Sequence, residues 1–279
     1  MGYRCFEIEE AGGVAHVRLS RPEEFNSMVR EFWTELPEIV GHLDDSGKTR
    51  AIVISSTGKH FCSGLDLSLF SGAPSSSNSD LSRSGAKSRE TCLALQAALT
   101  SIEQARMPVL VAIQGGCIGG GIDLSTACDM RYCSEDAFFC VQEINIGLAA
   151  DVGTLQRLPK VIPEGHAREM AYTGRRMSSA WAREVGLVNS VYPDHAALIE
   201  GVLEIAGEIA ERSPMAMWGS KEMLNFARDH SVAEGLNYVA TWQAGMFHGE
   251  DTKEVFEARQ EKRKPDFDDL LPRSKGFTS

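Results

Sequence analysis

The chain has 279 residues, of which 43% are hydrophobic and 24% charged, the composition of an ordinary globular protein with one large domain. Its net charge of −11 argues against a general nucleic-acid surface, because such a surface needs basic side chains to neutralise phosphates. The seven cysteines are scattered without CxxC spacing, which indicates reduced thiols, and no apolar run reaches membrane-spanning length. Because the N-terminus resembles neither a signal nor a transit peptide, we predict a cytoplasmic protein, with an organellar matrix as the alternative if the N-terminus is processed.

The first elements predicted in chain order are a β-hairpin, a helix and a buried strand. Polarity alternates on both sides of Gly12-Gly13, which is a hairpin signal. Apolar residues recur at helical spacing from Phe25 to Leu43, although Pro37 is expected to disturb this helix. Ala51 to Ser55 is an apolar, β-branched run typical of a buried strand, and it leads towards a glycine turn at Gly64.

The middle of the chain repeats the order strand, turn and helix. Ser71 to Ser88 is small and polar, which predicts a mobile loop or a lid that orders around a ligand, and a plain surface linker fits equally well. Glu90 to Ala105 has the pattern of an amphipathic helix, and Val109 to Ile113 that of a second buried strand. Because strand, turn and helix recur at 51–70 and 109–128, we expect an α/β fold with a largely parallel sheet.

The remainder of the chain, beyond Leu158, is predicted to be mainly helical. Gly186 ends one helix, and Pro214 separates two others. The predicted helical stretches are 180–185, 198–212 and 221–229, followed by a tail of helix and coil from 250 to 272.

The glycine-rich turn that follows the strand at Val109 to Ile113 is the most informative local motif. It reads IQGGCIGGGID and ends at Asp123, in the first turn of a predicted helix. The turn lacks the Lys-Ser/Thr of a phosphate-binding loop, and its glycines do not fit the GxGxxG register of a dinucleotide site. A purely structural turn remains open, but a helix start with unpaired N–H groups also suits an anionic oxygen.

Several separated motifs resemble the crotonase superfamily, which acts on acyl-CoA thioesters. In chain order they are HFCSGLDL at 60–67, GGCIGGGIDL at 115–124, QEINIG at 142–147, GRRM at 174–177 and RKP at 263–265. The resemblance covers nearly the whole chain. It implies a spiral core of stacked ββα units, followed by a C-terminal helical trimerisation region. We place the core at residues 1–200 and the helical region at 201–279, and we expect a homotrimer or homohexamer.

Within that superfamily, the segment from Gln142 to Leu158 resembles the Δ3,5-Δ2,4-dienoyl-CoA isomerases. By this resemblance, the backbone N–H groups of Leu65 and Gly120 bind the thioester oxyanion. Glu143 and Asp151 are assigned to the proton transfers at C2 and C6, in an order that the sequence does not fix. Asp123 would tune or assist the pair. Taken alone, each of these three acids is more simply a solvated surface carboxylate.

Two carboxylates can move a proton along a conjugated acyl chain if burial brings their pKa values into a working range. The predicted reaction therefore needs no cofactor, since coenzyme A is part of the substrate, and no metal, since the histidines lack ligand spacing. The alternative enzyme is an enoyl-CoA hydratase that uses Asp123 and Glu143 on a water molecule. A further alternative, an RNA-binding homologue, fits the acidic charge poorly. For Asp151 alone, a cap on a helix beginning near Val152 is the structural alternative.

Overall fold

The structure is a computed structural model that describes residues 2–70, 80–246, 249–274 and 276. Within these residues the strands are β1 Phe6–Ala11, β2 Val14–Leu19, β3 Ala51–Ser56, β4 Val109–Ile113, β5 Gly116–Ile118, β6 Met130–Ser134, β7 Phe138–Cys140, β8 Met177–Ser178 and β9 Ser190–Tyr192. The α-helices are α1 Phe32–Asp45, α2 Leu81–Gln104, α3 Gly120–Ala127, α4 Thr154–Val161, α5 Glu164–Thr173, α6 Ser179–Glu184, α7 His195–Ala210, α8 Pro214–Asp229, α9 Val232–Met246 and α10 Glu250–Glu261. Among these helices, none is long and apolar enough to cross a lipid bilayer.

Two sheets form the frame, and the larger one is mostly parallel, as the sequence predicted. Its strand order is β1-β2-β3-β4-β6-β9, and only the β1–β2 hairpin is antiparallel. The smaller sheet has the order β5-β7-β8. Because β5 follows β4 after a short turn, the two sheets diverge where the glycine-rich segment begins. The hairpin at Gly12-Gly13 and the strand-turn-helix order at 109–128 are confirmed, whereas at 51–70 the strand leads only to a short 3-10 helix, Leu67–Phe70.

The core lies on both faces of the larger sheet. Every residue of β3 is buried, and its side chains alternate between two hydrophobic clusters. Ile52 and Ile54 pack into the larger cluster with α1, α2 and α3, whereas Ala51 and Val53 pack against α7. Residue 200, the predicted domain division, falls within α7; the division into two regions stays a prediction.

The predicted helix from Phe25 to Leu43 begins later than the sequence indicated. Phe25 and Asn26 have φ values of 51° and 54°, in the left-handed region that ends regular helix formation. The Asn26 amide donates to the carbonyl oxygens of Thr57 (2.8 Å) and His60 (2.9 Å), so tertiary contacts fix this turn. Regular α1 begins only at Phe32, and Pro37 lies inside it.

The polar segment from Ser71 to Ser88 is not a single loop. Residues 71–79 lie outside the described part of the chain, so the lid and linker hypotheses are untested there. From Leu81 onward the segment is the first part of α2, which contradicts the prediction of a loop to Ser88. Asp80 caps this helix by accepting hydrogen bonds from the N–H groups of Ser82 and Arg83. The first turns of α2 are exposed, so they form a helix without the apolar spacing by which an amphipathic helix is recognised in a sequence.

The C-terminal helices differ from the prediction in their starts and in number. α8 begins at Pro214 instead of Lys221, because proline suits the first position of a helix and Ser213 caps it. α9 was not predicted, and none of its residues is buried. The helix expected at the start of the 250–272 tail is confirmed as α10.

The chain after α10 returns to the loop between α1 and β3. The Leu270 N–H donates to the carbonyl of Gly47 (3.1 Å), and the Arg106 guanidinium donates to the carbonyl of Leu271 (2.9 Å). Arg106 also forms an ion pair with buried Asp44 at 2.7 Å. Any side chain at Gly47 would lie 1.9 Å from the Leu270 carbonyl oxygen, so only glycine permits this contact.

Candidate active site

The site is built where a loop after β3 meets the glycine-rich turn before α3. Cys62 and Cys117 form an isolated parallel bridge. The Cys62 N–H donates to the carbonyl of Gly116 (3.0 Å), and the Ile118 N–H donates to the carbonyl of Cys62 (3.0 Å). These bonds hold the loop that carries residue 65 against the start of α3.

The N–H groups of Leu65 and Gly120 lie close together. Met28 bonds to the residues on either side of Leu65, since it donates to the Gly64 carbonyl (2.8 Å) and accepts from the Asp66 N–H (3.1 Å). The Leu65 N–H between them therefore points away from Met28. A Cβ at Gly120 would lie 3.6 Å from the Leu65 nitrogen. Within the described residues, neither N–H donates to a protein acceptor, so both are free to bind an anionic oxygen.

Asp123 lies in the first turn of α3 and is almost fully buried. Its Oδ1 accepts hydrogen bonds from both the N–H (2.6 Å) and the hydroxyl (2.7 Å) of Thr154. Burial raises the pKa of Asp123 above its ordinary value, and the two bonds from Thr154 oppose this rise. The sequence did not predict this partner.

Glu143 begins a short 3-10 helix, Glu143–Ile146, and points its carboxyl group inward. Its Oε2 is buried and has no hydrogen-bond partner among the described residues. Burial raises the pKa of Glu143 to about 7, and the negative charges of Asp123 and Asp151 add to the rise. A Cβ at Gly119 would lie 3.1 Å from Glu143 Oε1, which places this carboxylate against the start of α3, the helix that carries Asp123. A carboxyl group that titrates near neutral pH can both take and return a proton.

Replacement of Glu143 by glutamine should make the protein more stable than the wild type above neutral pH. Because folding raises the pKa of this acid from 4.5 to about 7, the folded state binds more protons than the unfolded state between those pH values. Wild-type stability therefore falls as pH rises through this window, and the loss is complete above it. Glutamine carries no such penalty.

Melting temperatures at pH 5 and pH 8 measure this effect. We expect the Glu143→Gln variant to melt a few degrees above the wild type at pH 8, with the advantage shrinking at pH 5. Exposed Glu10→Gln is the control and should show no pH-dependent advantage. A difference between Glu143→Gln and wild type that is the same at both pH values contradicts the raised pKa.

Asp151 is exposed and lies between the 3-10 helix and α4. Its carbonyl oxygen accepts from the Gln96 amide at 2.7 Å, and its Oδ2 lies 3.8 Å from the Cys92 sulfur. The alternative that Asp151 caps the next helix is wrong, because Gly153, with φ of 135°, occupies the N-cap position of α4. The backbone at Asp151 is thus fixed by α2, while its carboxylate remains available to a ligand.

Two histidines and an aspartate outside the three proposed acids have structural partners. The buried His16 ring lies 2.7 Å from the Ser55 hydroxyl, and His60 Nδ1 accepts from the Gly116 N–H. Asp66 accepts from the Ser68 N–H (3.0 Å), a hydrogen bond that anchors this turn. Across the described residues, no group of three or more His, Cys, Asp or Glu side chains is placed to hold a metal ion.

The family model described as "Enoyl-CoA hydratase/isomerase" matches residues 9–270. The chain belongs to this family. One enzyme of the family from Arabidopsis thaliana, named "Delta(3,5)-Delta(2,4)-dienoyl-CoA isomerase, peroxisomal", is 45% identical over 270 residues, which cover 95% of this chain and 97% of the relative. The mitochondrial dienoyl-CoA isomerase of Rattus norvegicus is 44% identical over 252 residues, covering 90% of this chain and 77% of the relative.

The fold agrees with that of solved structures in the enoyl-CoA hydratase/isomerase family. The enoyl-CoA hydratase of Bacillus anthracis superposes with a TM-score of 0.86 at 31% identity, covering 95% of this chain and 99% of the other. The resemblance to the crotonase superfamily and the α/β fold class are thereby confirmed. The names of the Arabidopsis and rat relatives place those proteins in peroxisomes and mitochondria, and the prediction of a cytoplasmic protein receives no support.

Proposed function

We propose that this chain is an isomerase that converts 3,5-dienoyl-CoA to 2,4-dienoyl-CoA. The observation that carries the proposal is the third carboxylate, Asp151, which lies three residues before Thr154, the hydrogen-bond partner of Asp123. Two acids suffice to act on a single water molecule. A third acid is needed only where a proton must reach a carbon several bonds from the thioester. The names of the relatives from Arabidopsis and rat support the same reaction.

The reaction moves one proton and needs no co-reactant. One carboxylate removes a proton from C2, and the electron pair spreads over C2, C4, C6 and the thioester oxygen. The N–H groups of Leu65 and Gly120 stabilise the negative charge that develops on this oxygen. A second carboxylate delivers a proton to C6, which leaves double bonds at C2 and C4. Glu143 and Asp151 serve these two carbons, and no cofactor takes part.

A spectroscopic assay tests the proposed reaction. The purified protein is mixed with 3,5-dienoyl-CoA, and the absorbance of the conjugated 2,4-dienoyl product is followed over time. The same protein is then assayed with 2-enoyl-CoA for loss of the double bond by hydration. Rapid formation of the diene with little hydration supports the isomerase. Hydration without diene formation rejects it and favours the hydratase that acts through Asp123 and Glu143.

We further propose that the protein assembles as a homotrimer or homohexamer through its C-terminal helices. α8 and α9 expose large apolar side chains, among them Leu224 (72% exposed), Val232 (80%) and Leu236 (64%). A contact with a second copy would remove this surface from water, at about 25 cal/mol for each Å² buried. Light scattering at micromolar concentration should give a mass three or six times that of the chain. A monomer under these conditions contradicts the proposal.

For the location, we propose an organelle that carries out acyl-CoA chemistry, either the peroxisome or the mitochondrion. The names of the Arabidopsis and rat relatives support this choice, one for each compartment. Imaging of the protein in its own cells, with markers for both organelles, distinguishes these sites from the cytoplasm.

A further inference from the structure

A single residue, Thr154, supplies both hydrogen bonds to the Asp123 carboxylate. The two residues are 31 positions apart in the chain, and the N–H and hydroxyl of Thr154 lie 2.6 and 2.7 Å from Asp123 Oδ1. Each residue is only 1% exposed. The contact is therefore an internal one, protected from competition by water, and a hydrogen bond to a charged group is strongest in such surroundings.

The same contact completes the start of α4. Thr154 is the first residue of this helix, and the N-cap position is held by Gly153, which has no side chain to accept a hydrogen bond. Asp123 accepts the Thr154 N–H instead, so a carboxylate of α3 caps α4. The positive end of the α4 dipole then favours the ionised form of Asp123.

We infer that Thr154 is a positioning residue for the proposed isomerisation, whose hydroxyl fixes the Asp123 carboxylate and favours its charged form. The inference rests on the proposed function, because it assigns a task to Asp123 in that reaction. Asp151 precedes Thr154 by three positions, and Gln96 holds the Asp151 carbonyl. The contact between Asp123 and Thr154 therefore also sets where the Asp151 carboxylate lies relative to the other two acids.

The charges around Asp123 explain why this hydroxyl matters. Burial and the charge of Asp151 raise the pKa of Asp123, whereas Thr154 and the Arg157 guanidinium lower it. The negative charge of Asp123 in turn raises the pKa of Glu143 and that of the Cys62 thiol. If the Thr154 hydroxyl is removed, less remains to oppose the rise in the Asp123 pKa that burial causes. The state in which Asp123 and Glu143 are both ionised then becomes harder to reach.

The test compares three variants with the wild type across pH. Thr154→Val removes the hydroxyl, and Thr154→Ser keeps it. Thr126→Val is the matched control, because this buried hydroxyl on α3 bonds only to the backbone carbonyls of Ile122 (2.8 Å) and Asp123 (3.2 Å). For each variant, kcat and KM for 3,5-dienoyl-CoA are measured between pH 5 and pH 9, and the melting temperature at pH 5 and pH 8.

In Thr154→Val we expect the acid limb of the rate profile to move to higher pH by about 1–2 units, the usual worth of a hydrogen bond to a charged group. The loss should fall on kcat, with KM little changed, and the kcat of the variant relative to that of the wild type should recover towards pH 9. Thr154→Ser and Thr126→Val should keep the wild-type profile. The inference is overturned if the acid limb of Thr154→Val does not move, or if its kcat is lowered equally at every pH. It is also overturned if the acid limb of Thr154→Ser moves as far as that of Thr154→Val.

A wild-type protein without isomerase activity rejects the proposed function and leaves the melting temperatures to decide the inference. A buried acid whose pKa is raised further destabilises the folded state at higher pH. The melting temperature of Thr154→Val should therefore fall further below that of the wild type at pH 8 than at pH 5. The deficit of Thr126→Val should be the same at both. A pH-independent deficit in Thr154→Val overturns the inference.

Discussion

Asp151→Asn should lower the rate of dienoyl isomerisation by about 10²- to 10⁴-fold, the usual worth of a positioned acid or base. Asparagine keeps the size of the side chain but cannot carry a proton. The Asp151 backbone is held by the Gln96 amide, a contact that does not involve the carboxylate, so the loop should keep its position. The rate of 2,4-dienoyl-CoA formation, measured at saturating substrate, gives the effect directly.

Asp194→Asn is the matched control for this change. Asp194 caps α7 by accepting from the Ala197 N–H, and asparagine caps a helix about as well as aspartate. We expect this variant to isomerise the substrate at the wild-type rate. If Asp151→Asn is also as active as the wild type, Asp151 carries no proton in the reaction. The proposed isomerase mechanism, which assigns one of the two proton transfers to Asp151, is then wrong. Retained hydration of 2-enoyl-CoA in the same variant would then favour the hydratase.

Gly120→Val should lower turnover by a hundredfold or more while most of the fold persists. The added Cβ would lie 2.7 Å from the Met28 sulfur and 3.6 Å from the Leu65 nitrogen, in the space between the two oxyanion donors. Loss of one such donor costs about 3 kcal/mol in the transition state. The effect should appear in kcat, because the charge that the donors stabilise develops only during the reaction.

The control for Gly120→Val is Gly165→Val, at an α5 position where an added Cβ meets nothing within 4 Å. It should keep wild-type turnover. Because Met28 is fully buried, Gly120→Val also strains the core, so Gly120→Ala provides a second test if the valine variant unfolds. A single methyl group displaces only the flexible end of Met28. Normal turnover in a folded Gly120 variant with an added side chain contradicts the assignment of this N–H to the oxyanion.

The sheet and the position of the site were predictable because local patterns determine them. A fully buried strand such as Ala51–Ser56 is recognised by its largely apolar, β-branched sequence. A glycine-rich turn before a helix is recognised as a place where a ligand can come close to the backbone. The start of α1 was not predictable in this way. The turn at Asn26 depends on hydrogen bonds to Thr57 and His60, which no local pattern reveals.

The contacts that hold the carboxylates were also beyond prediction. Asp123 and Thr154 meet because α3 and α4 pack together, and their hydrogen bond leaves no periodic signal in the sequence. Gln96 reaches Asp151 from a helix that begins in a segment whose composition resembles a linker. The available signal was Thr154, three positions after Asp151, and this pattern indicates only that a helix starts there.

The return of the chain to Gly47 and Arg106 affects how the protein folds while the ribosome is still making it. The Arg106 guanidinium is buried beside Asp44, but one of its acceptors, the Leu271 carbonyl, lies 165 residues later. At about 5–20 residues per second, that carbonyl is synthesised about 10–30 s after Arg106. The nascent core must pass this interval with the Gly47 carbonyl and part of the guanidinium bonded to water. The final packing between α1 and α2 is therefore expected to form only once residue 271 has left the ribosome, and a chain stalled before residue 270 should be digested faster by protease than the chain of residues 1–279.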